Sequence, residues 1–247
     1  MDGNEQRAKR ARDQTHSHPA SGAASAASAT ISAVIFDLGG VVFGSPFEHF
    51  DTYETAAGLP PGSVRRVIAH SSEHGAWAAL ERGELTMSEF TATLEAEAEA
   101  AGIAIDATEI MAMIGRGIGA RPEMIAAITR IREKGLRTAA LTNNWPSGEG
   151  NGSPPGLRSL TVFDVVVESA VEGMRKPDPR IYRLTCERLG VEPTAVVFLD
   201  DIGANLKPAR AMGMTTIKVD DTAQALRDLE AVLGFELGFE IGFGLGD

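Results

Sequence analysis

Short apolar runs, each cut off by a polar residue or a glycine, do most to limit what this chain can become. Ala33-Val34-Ile35-Phe36 is closed by Asp37 and then by Gly39-Gly40. Thr138 to Leu141, Ala195 to Leu199 and Thr215 to Val219 have the same character, and Val165 to Val167 is a weaker addition. A run without polar alternation cannot keep one face in water. These segments therefore read as strands buried on both faces of a parallel sheet. Stretches of helical period lie between them. Pro122 to Lys134 carries Met124, Ile125, Ile128 and Ile131, with Pro in the first turn and Gly135 as its stop. Asp178 to Leu189 ends at Gly190, Ala204 to Met212 at Gly213, and Thr222 to Leu233 at Gly234. Strand alternating with helix predicts an α/β fold, a Rossmann-like doubly wound parallel sheet.

One section interrupts that alternation. Residues 45–119 lack strong strand runs and read as helical: Ser63 to His70, Gly75 to Glu81 and Met87 to Ala101, with Thr86 and Ser88 as caps ahead of Glu89. Glu95, Glu97 and Glu99 form a solvated helix face. The expectation is an all-helical cap module at 45–119, inserted into a core made of 33–44 and 120–234. Gly115, Gly117 and Gly119 read as a hinge back into the core. Residues 1–32 hold a basic cluster (Arg7, Lys9, Arg10, Arg12) and then Ser, Ala and Gly. They have too little apolar surface to offset ordering entropy, so they are expected to form a disordered tail. Trp145 to Leu157 reads as a Gly/Ser/Pro loop. Residues 235–247 form a Gly-Phe-rich tail with aromatics at Phe235, Phe239 and Phe243.

The 247 residues carry a formal net charge of −11. That surplus argues against nucleic acid and against an anionic membrane surface as partners. No run approaches the roughly 18 apolar residues of a membrane span. The lone cysteine, Cys186, excludes an intramolecular disulfide and a Cys-rich zinc site. It fits a cytoplasmic location, while the basic N-terminal cluster leaves mitochondrial, peroxisomal and nuclear destinations open. Either a monomer or a homodimer is compatible with the chain.

Parallel α/β sheets build their sites at the C-terminal ends of the strands. Asp37 follows the first strand. Thr142-Asn143-Asn144-Trp145 follows the run at Thr138, and Asp200-Asp201 follows the run at Ala195. Lys176 lies in the loop Arg175-Lys176-Pro177-Asp178-Pro179. Three acids, a hydroxyl and an ammonium thus converge on one sheet edge. Close carboxylates repel unless a cation sits among them, and oxygen-only ligands select a hard ion such as Mg²⁺. The ligand expected beside a metal and a lysine is a phosphate.

In that order, Asp37, Thr142, Lys176 and Asp200-Asp201 resemble the four motifs of the haloacid dehalogenase (HAD) superfamily. Leu141-Thr142-Asn143, the stretch Lys176 to Tyr182, and Phe198 to Arg210 look most like the N-terminal phosphatase domain of soluble epoxide hydrolases. They also look like the HAD domain fused to some acyl-CoA dehydrogenases. The resemblance spans roughly Ala33 to Gly234. It implies Asp37 as the nucleophile that forms an aspartyl-phosphate, with Thr142 and Asn143 holding the phosphoryl group. Lys176 would pair with both nucleophile and phosphate. Asp201 and the Gly39 carbonyl would ligate the metal directly, Asp200 would act through water or by orienting its neighbours, and Asn205 would support the loop. It implies a small phosphorylated metabolite or a lipid phosphate as substrate, with Trp145 and Trp77 as candidates for specificity.

Gly39 departs from the phosphatase pattern, which has an Asp there as general acid. Glycine cannot donate a proton, and a lost general acid costs about 10²- to 10⁴-fold. The expected activity is therefore a slow Mg²⁺-dependent phosphatase, or one restricted to leaving groups that need little protonation. A non-catalytic HAD-fold binding protein and a haloacid dehalogenase remain the alternatives. Minor candidates are the pattern His70-Ser-Ser-Glu73-His74, read as a helix end, Cys186, read as packed, and Asn151-Gly-Ser153, a formal glycosylation acceptor.

Overall fold

The computed structural model of the chain describes residues 30–71, 73–117, 119–146 and 161–238. The N-terminal basic cluster, most of the loop after Trp145, Asn151-Gly-Ser153, and Phe239 with Phe243 lie outside those residues.

Five strands form one parallel sheet: β1 (Ala33–Phe36), β2 (Arg137–Thr142), β3 (Val165–Glu168), β4 (Val196–Asp200) and β5 (Thr215–Lys218). Their order is β3-β2-β1-β4-β5. The chain therefore moves outward from β1 on one side and then returns to its other side. That reversal opens a crevice beside the end of β1. Alternate residues serve opposite faces, as the pleat requires. Val34, Phe36, Ala140, Val197 and Leu199 pack under α6 (Pro122–Glu133) and α10 (Thr222–Leu233). Ala33, Ile35, Ala139, Leu141 and Phe198 pack under α8 (Pro179–Leu189) and α9 (Gly203–Ala211). Every residue of β1 is fully buried, which is why its sequence shows no polar alternation.

The interruption is a helical cap with a core of its own. Its helices are α1 (Pro46–Ala56), α2 (Ser63–Ser71), α3 (Ala76–Glu81), α4 (Met87–Ala100) and α5 (Ala107–Gly117). Phe50, Tyr53, Val64, Trp77, Leu80, Phe90, Leu94, Ile110 and Ile114 are buried together inside it. Thr86 caps α4 through the reciprocal bonds with Glu89 that the sequence suggested, while Ser88 lies within the helix. The buried carboxylate of Glu54 accepts from the Gly62 and Val64 amides at 2.6 and 2.8 Å, seating the start of α2.

Three boundaries differ from the sequence reading. Gly115 belongs to α5, so the hinge is not a glycine string. The two connections to the core pair with each other instead: Phe43 bridges Ala120, and the Gly44 and Arg121 amides donate to the Gly119 and Val42 carbonyls. Order also reaches beyond both expected ends of the core. Ile31 packs on it and the Ser32 amide bonds Ala195. Phe235 and Leu237 pack on the same face, so the start of the C-terminal tail belongs to the core. The short helix α7 (Ser169–Glu172) was not foreseen.

Candidate active site

Pairing with β4 carries Asp37 to the side of Asp200: its amide donates to the Leu199 carbonyl at 2.9 Å. The Asp37 carboxylate is buried. Its Oδ1 accepts the Leu38 amide at 2.6 Å and Lys176 Nζ at 2.7 Å. Lys176, 1% exposed, also donates to Asp200 Oδ2 at 2.8 Å. Asp200 is further tied by the Ile202 amide at 2.7 Å and by Asn205 Nδ2 at 3.0 and 3.1 Å. Asp200 thus accepts from Lys176, Ile202 and Asn205, whereas no side chain among the described residues donates to Asp201.

Among the described residues the charges at this edge do not balance. Carboxylate oxygens of Asp37, Asp200 and Asp201 lie within 4.8 Å of one another, against the single ammonium of Lys176. Burial and the neighbouring acids push the Asp37 carboxyl well above its ordinary range, although Lys176 opposes them. Burial and Asp200 push Asp201 up to about 6. Burial works against the Lys176 charge, but Asp200 and Asp37 outweigh it and hold the ammonium above the lysine range. A dication among these oxygens would reverse the penalty on the acids.

The backbone is shaped for such an arrangement. Residues Leu38–Val42 make an irregular helical turn in which Gly40 has φ +76°. That φ favours glycine, and a Cβ on Gly40 would also press on the Asp201 carboxylate, so glycine lets the acid lie against the turn. Arg121, unremarked in the sequence, fixes the turn by donating to the Gly40 carbonyl at 3.0 Å. An all-oxygen donor set of this kind fits a small hard cation. Gly39 is a different case. Its φ is −64°, and the nearest atom to an added Cβ is Pro46 Cδ at 3.4 Å. Nothing in the backbone requires glycine there.

Thr142, at the end of β2, is buried, and its hydroxyl has only a long 3.4 Å contact to the Asn143 carbonyl. Asn143 is more heavily engaged than its neighbour. Its Oδ1 accepts the Lys176 amide at 2.8 Å, and its Nδ2 donates to the Lys176 carbonyl at 3.1 Å and to Glu81 Oε2 at 3.4 Å. Its side chain therefore clamps the main chain of the lysine. Binding a phosphoryl oxygen through that amide would require giving up one of these bonds.

A cavity of about 860 Å³ runs from this edge beneath the cap. Gly39, Thr142 and Asn143 form its inner end, and Phe43, Met87, Met111, Ile114 and Trp145 are prominent in its wall. No titratable side chain lines it among the described residues. Trp145 borders the space. Trp77 does not: it is buried among Phe50, Phe90 and Trp145, and its Nε1 donates to Glu81. Two further readings fare simply. Cys186 is buried and its thiol is pushed up to about 11 by that burial, far from nucleophilic use. Glu73 and His74 are exposed at a helix end.

Known proteins agree with this picture. The haloacid dehalogenase-like hydrolase family matches residues 31–213. Acyl-CoA dehydrogenase family member 10 of Mus musculus is 39% identical over 208 residues, covering 83% of this chain and 19% of that protein. Bifunctional epoxide hydrolase 2 of Sus scrofa is 35% identical over 83% of this chain and 39% of its own length. The chain therefore spans less than half of these relatives. A phosphatase of Mycobacterium tuberculosis is 31% identical and matches nearly end to end, over 82% of this chain and 95% of its own. The solved structure of a HAD-like family hydrolase from Porphyromonas gingivalis shares the fold, with TM-score 0.59 at 20% identity over 83% of this chain and 98% of its own.

Proposed function

The chain belongs to the haloacid dehalogenase-like hydrolases, and from that membership we propose that it is a Mg²⁺-dependent phosphatase acting on a phosphomonoester with an apolar leaving group. The observation that carries this reading is the Asp37–Lys176–Asp200 array with Asp201 alongside, which adjoins an apolar cavity through Leu38, Gly39 and Asn143 in the cavity wall.

Bound Mg²⁺, held by Asp37, Asp201 and the Gly39 carbonyl, would neutralise phosphoryl oxygens and favour the ionised form of Asp37. Asp37 Oδ1 is already fixed by the Leu38 amide and Lys176. Oδ2 is left to attack phosphorus and form an aspartyl-phosphate. Lys176 places its charge beside the developing negative oxygens, and the Thr142 hydroxyl donates to one of them. Asn205 and Asp200 keep the ammonium aimed. Leaving-group departure and attack by water on the intermediate both lack a positioned acid or base at Gly39, so turnover is slow unless the leaving group departs easily.

Assays with p-nitrophenyl phosphate and acetyl phosphate, in Mg²⁺ or EDTA, test the reading. Metal-dependent phosphate release that Asp37→Asn abolishes supports it. Halide release from a 2-haloacid without metal would select the dehalogenase. Absence of any turnover would favour a binding protein.

A further inference from the structure

Glu81 stands on the cap, at the last position of α3, yet its carboxylate serves the core. It is nearly buried, and Oε2 accepts from Arg175 Nε at 2.5 Å and from Asn143 Nδ2 at 3.4 Å. Its Oε1 accepts Trp77 Nε1 at 3.0 Å. Among the described residues, the side-chain hydrogen bonds that cross from cap to core end on this one carboxylate. Both of its core partners adjoin the reaction machinery. Arg175 immediately precedes Lys176, and Asn143 clamps the Lys176 main chain from both sides. Trp77 meets Trp145, on the core loop after Thr142, at 6.0 Å between ring centroids. The Gly83 turn next to Glu81 rests on α7 so closely that a Cβ there would lie 2.5 Å from the Ala170 carbonyl.

We propose that Glu81 is a positioning residue, a latch through which closure of the cap aligns Lys176 on Asp37. The proposal rests on the phosphatase reading above for its kinetic consequence. When the cap lifts, Arg175 and Asn143 lose a shared anion, and the lysine loop loses its tie to α3. When it closes, one carboxylate gathers both loops. The pair is shielded but not sealed, with the Arg175 side chain 22% and the Glu81 side chain 9% exposed, so it separates only as far as cap movement lets water reach both charges.

The two tryptophans of the chain, Trp77 and Trp145, lie on either side of this boundary, so their emission reports the latch without any substrate. The variant Glu81→Gln keeps the shape and removes the charge. Expected results are at least a twofold rise in acrylamide quenching of tryptophan emission and at least a tenfold fall in kcat for acetyl phosphate with Mg²⁺. KM should change by less than about threefold. In case a lone Arg175 prevents folding, Glu81→Gln/Arg175→Met removes both charges. It should be no slower than Glu81→Gln alone, because both substitutions cut one link. Unchanged quenching, or additive losses in the double variant, would overturn the latch. If the wild-type protein releases no phosphate from any ester, the phosphatase reading fails, and the quenching comparison alone then decides the latch.

Discussion

At the scale of single residues, the site is built from groups that are costly alone and stable together. Lys176 is tolerated in the interior because two carboxylates meet it, and one oxygen of Asp37 is fixed by the Leu38 amide and Lys176. Much of this was legible in the sequence, since Asp37, Thr142, Lys176 and Asp200-Asp201 each directly follow or precede a recognisable strand or helix. What escaped was long-range: Glu81 and Arg175 are 94 positions apart, and neither sits in a pattern that marks it. Trp77 could not be assigned because an aromatic on a helix reads the same whether it faces the cap interior or a ligand. Gly39 gives the sharpest residue-level expectation. Its backbone angles suit any residue and there is space at its Cβ. The variant Gly39→Asp should therefore fold normally and raise turnover of alkyl phosphates by about 10²-fold, the lower end of the range for a positioned acid. Unchanged turnover, in a protein whose activity Asp37→Asn still removes, would mean that another group protonates the leaving oxygen.

At the scale of elements, the strands were easy to find and some helices were not. Fully buried strands declare themselves as apolar runs, and β1 matches its sequence reading residue for residue. By contrast, α1 is read poorly because its eleven residues include Thr, Glu, His and Asp, and it buries only Phe50, Tyr53 and Glu54. The end of α5 was misread because glycines usually stop helices, yet here Ile110 and Ile114 anchor that turn in the cap core. A second expectation concerns the β2–β3 edge. Asp164 accepts the Thr138 amide at 2.8 Å and pairs with Arg132 at 3.0 Å. Burial opposes its ionisation, but these donors win and hold the carboxyl below its ordinary value. The folded state therefore favours the ionised form. The resulting stability is present above the unfolded-state value near 3.9 and is lost as pH falls through the lower folded value. The variant Asp164→Asn should reduce stability by no more than about 1 kcal/mol at pH 7, since the pair is partly solvated. Denaturant melts at pH 7 and pH 3 check this; a gap between wild type and variant that persists undiminished at pH 3 would contradict the assignment.

At the scale of the whole molecule, a sheet that reverses direction beside β1 gathers the candidate site, and a separately packed helical cap closes a cavity over it. The cap has a core of its own, and its two connections to the sheet pair at Phe43 and Ala120. Among the described residues no helix is long and apolar enough to cross a membrane. The apolar cavity of about 860 Å³ predicts a preference that the sequence could not show, because its wall combines residues from both ends of the cap with the core. Across a series of n-alkyl phosphates, kcat/KM should rise by up to about fourfold per methylene while the chain fits, from about 0.8 kcal/mol per buried methylene. Glycerol phosphate should be the poorer substrate. A flat or falling series would place the leaving group outside the cavity.

The central claim is that Asp37 takes the phosphoryl group. The direct measurement is rapid acid quench during turnover of acetyl phosphate with Mg²⁺, followed by intact-mass and peptide mass spectrometry. The expected result is an adduct of one phosphoryl group on the peptide containing Asp37, released by hydroxylamine and missing in Asp37→Asn and in EDTA. Because Gly39 offers no base for the hydrolytic step, the adduct should accumulate more in the wild type than in Gly39→Asp. Steady metal-dependent turnover with no phosphoryl group on Asp37 at any time would contradict the account.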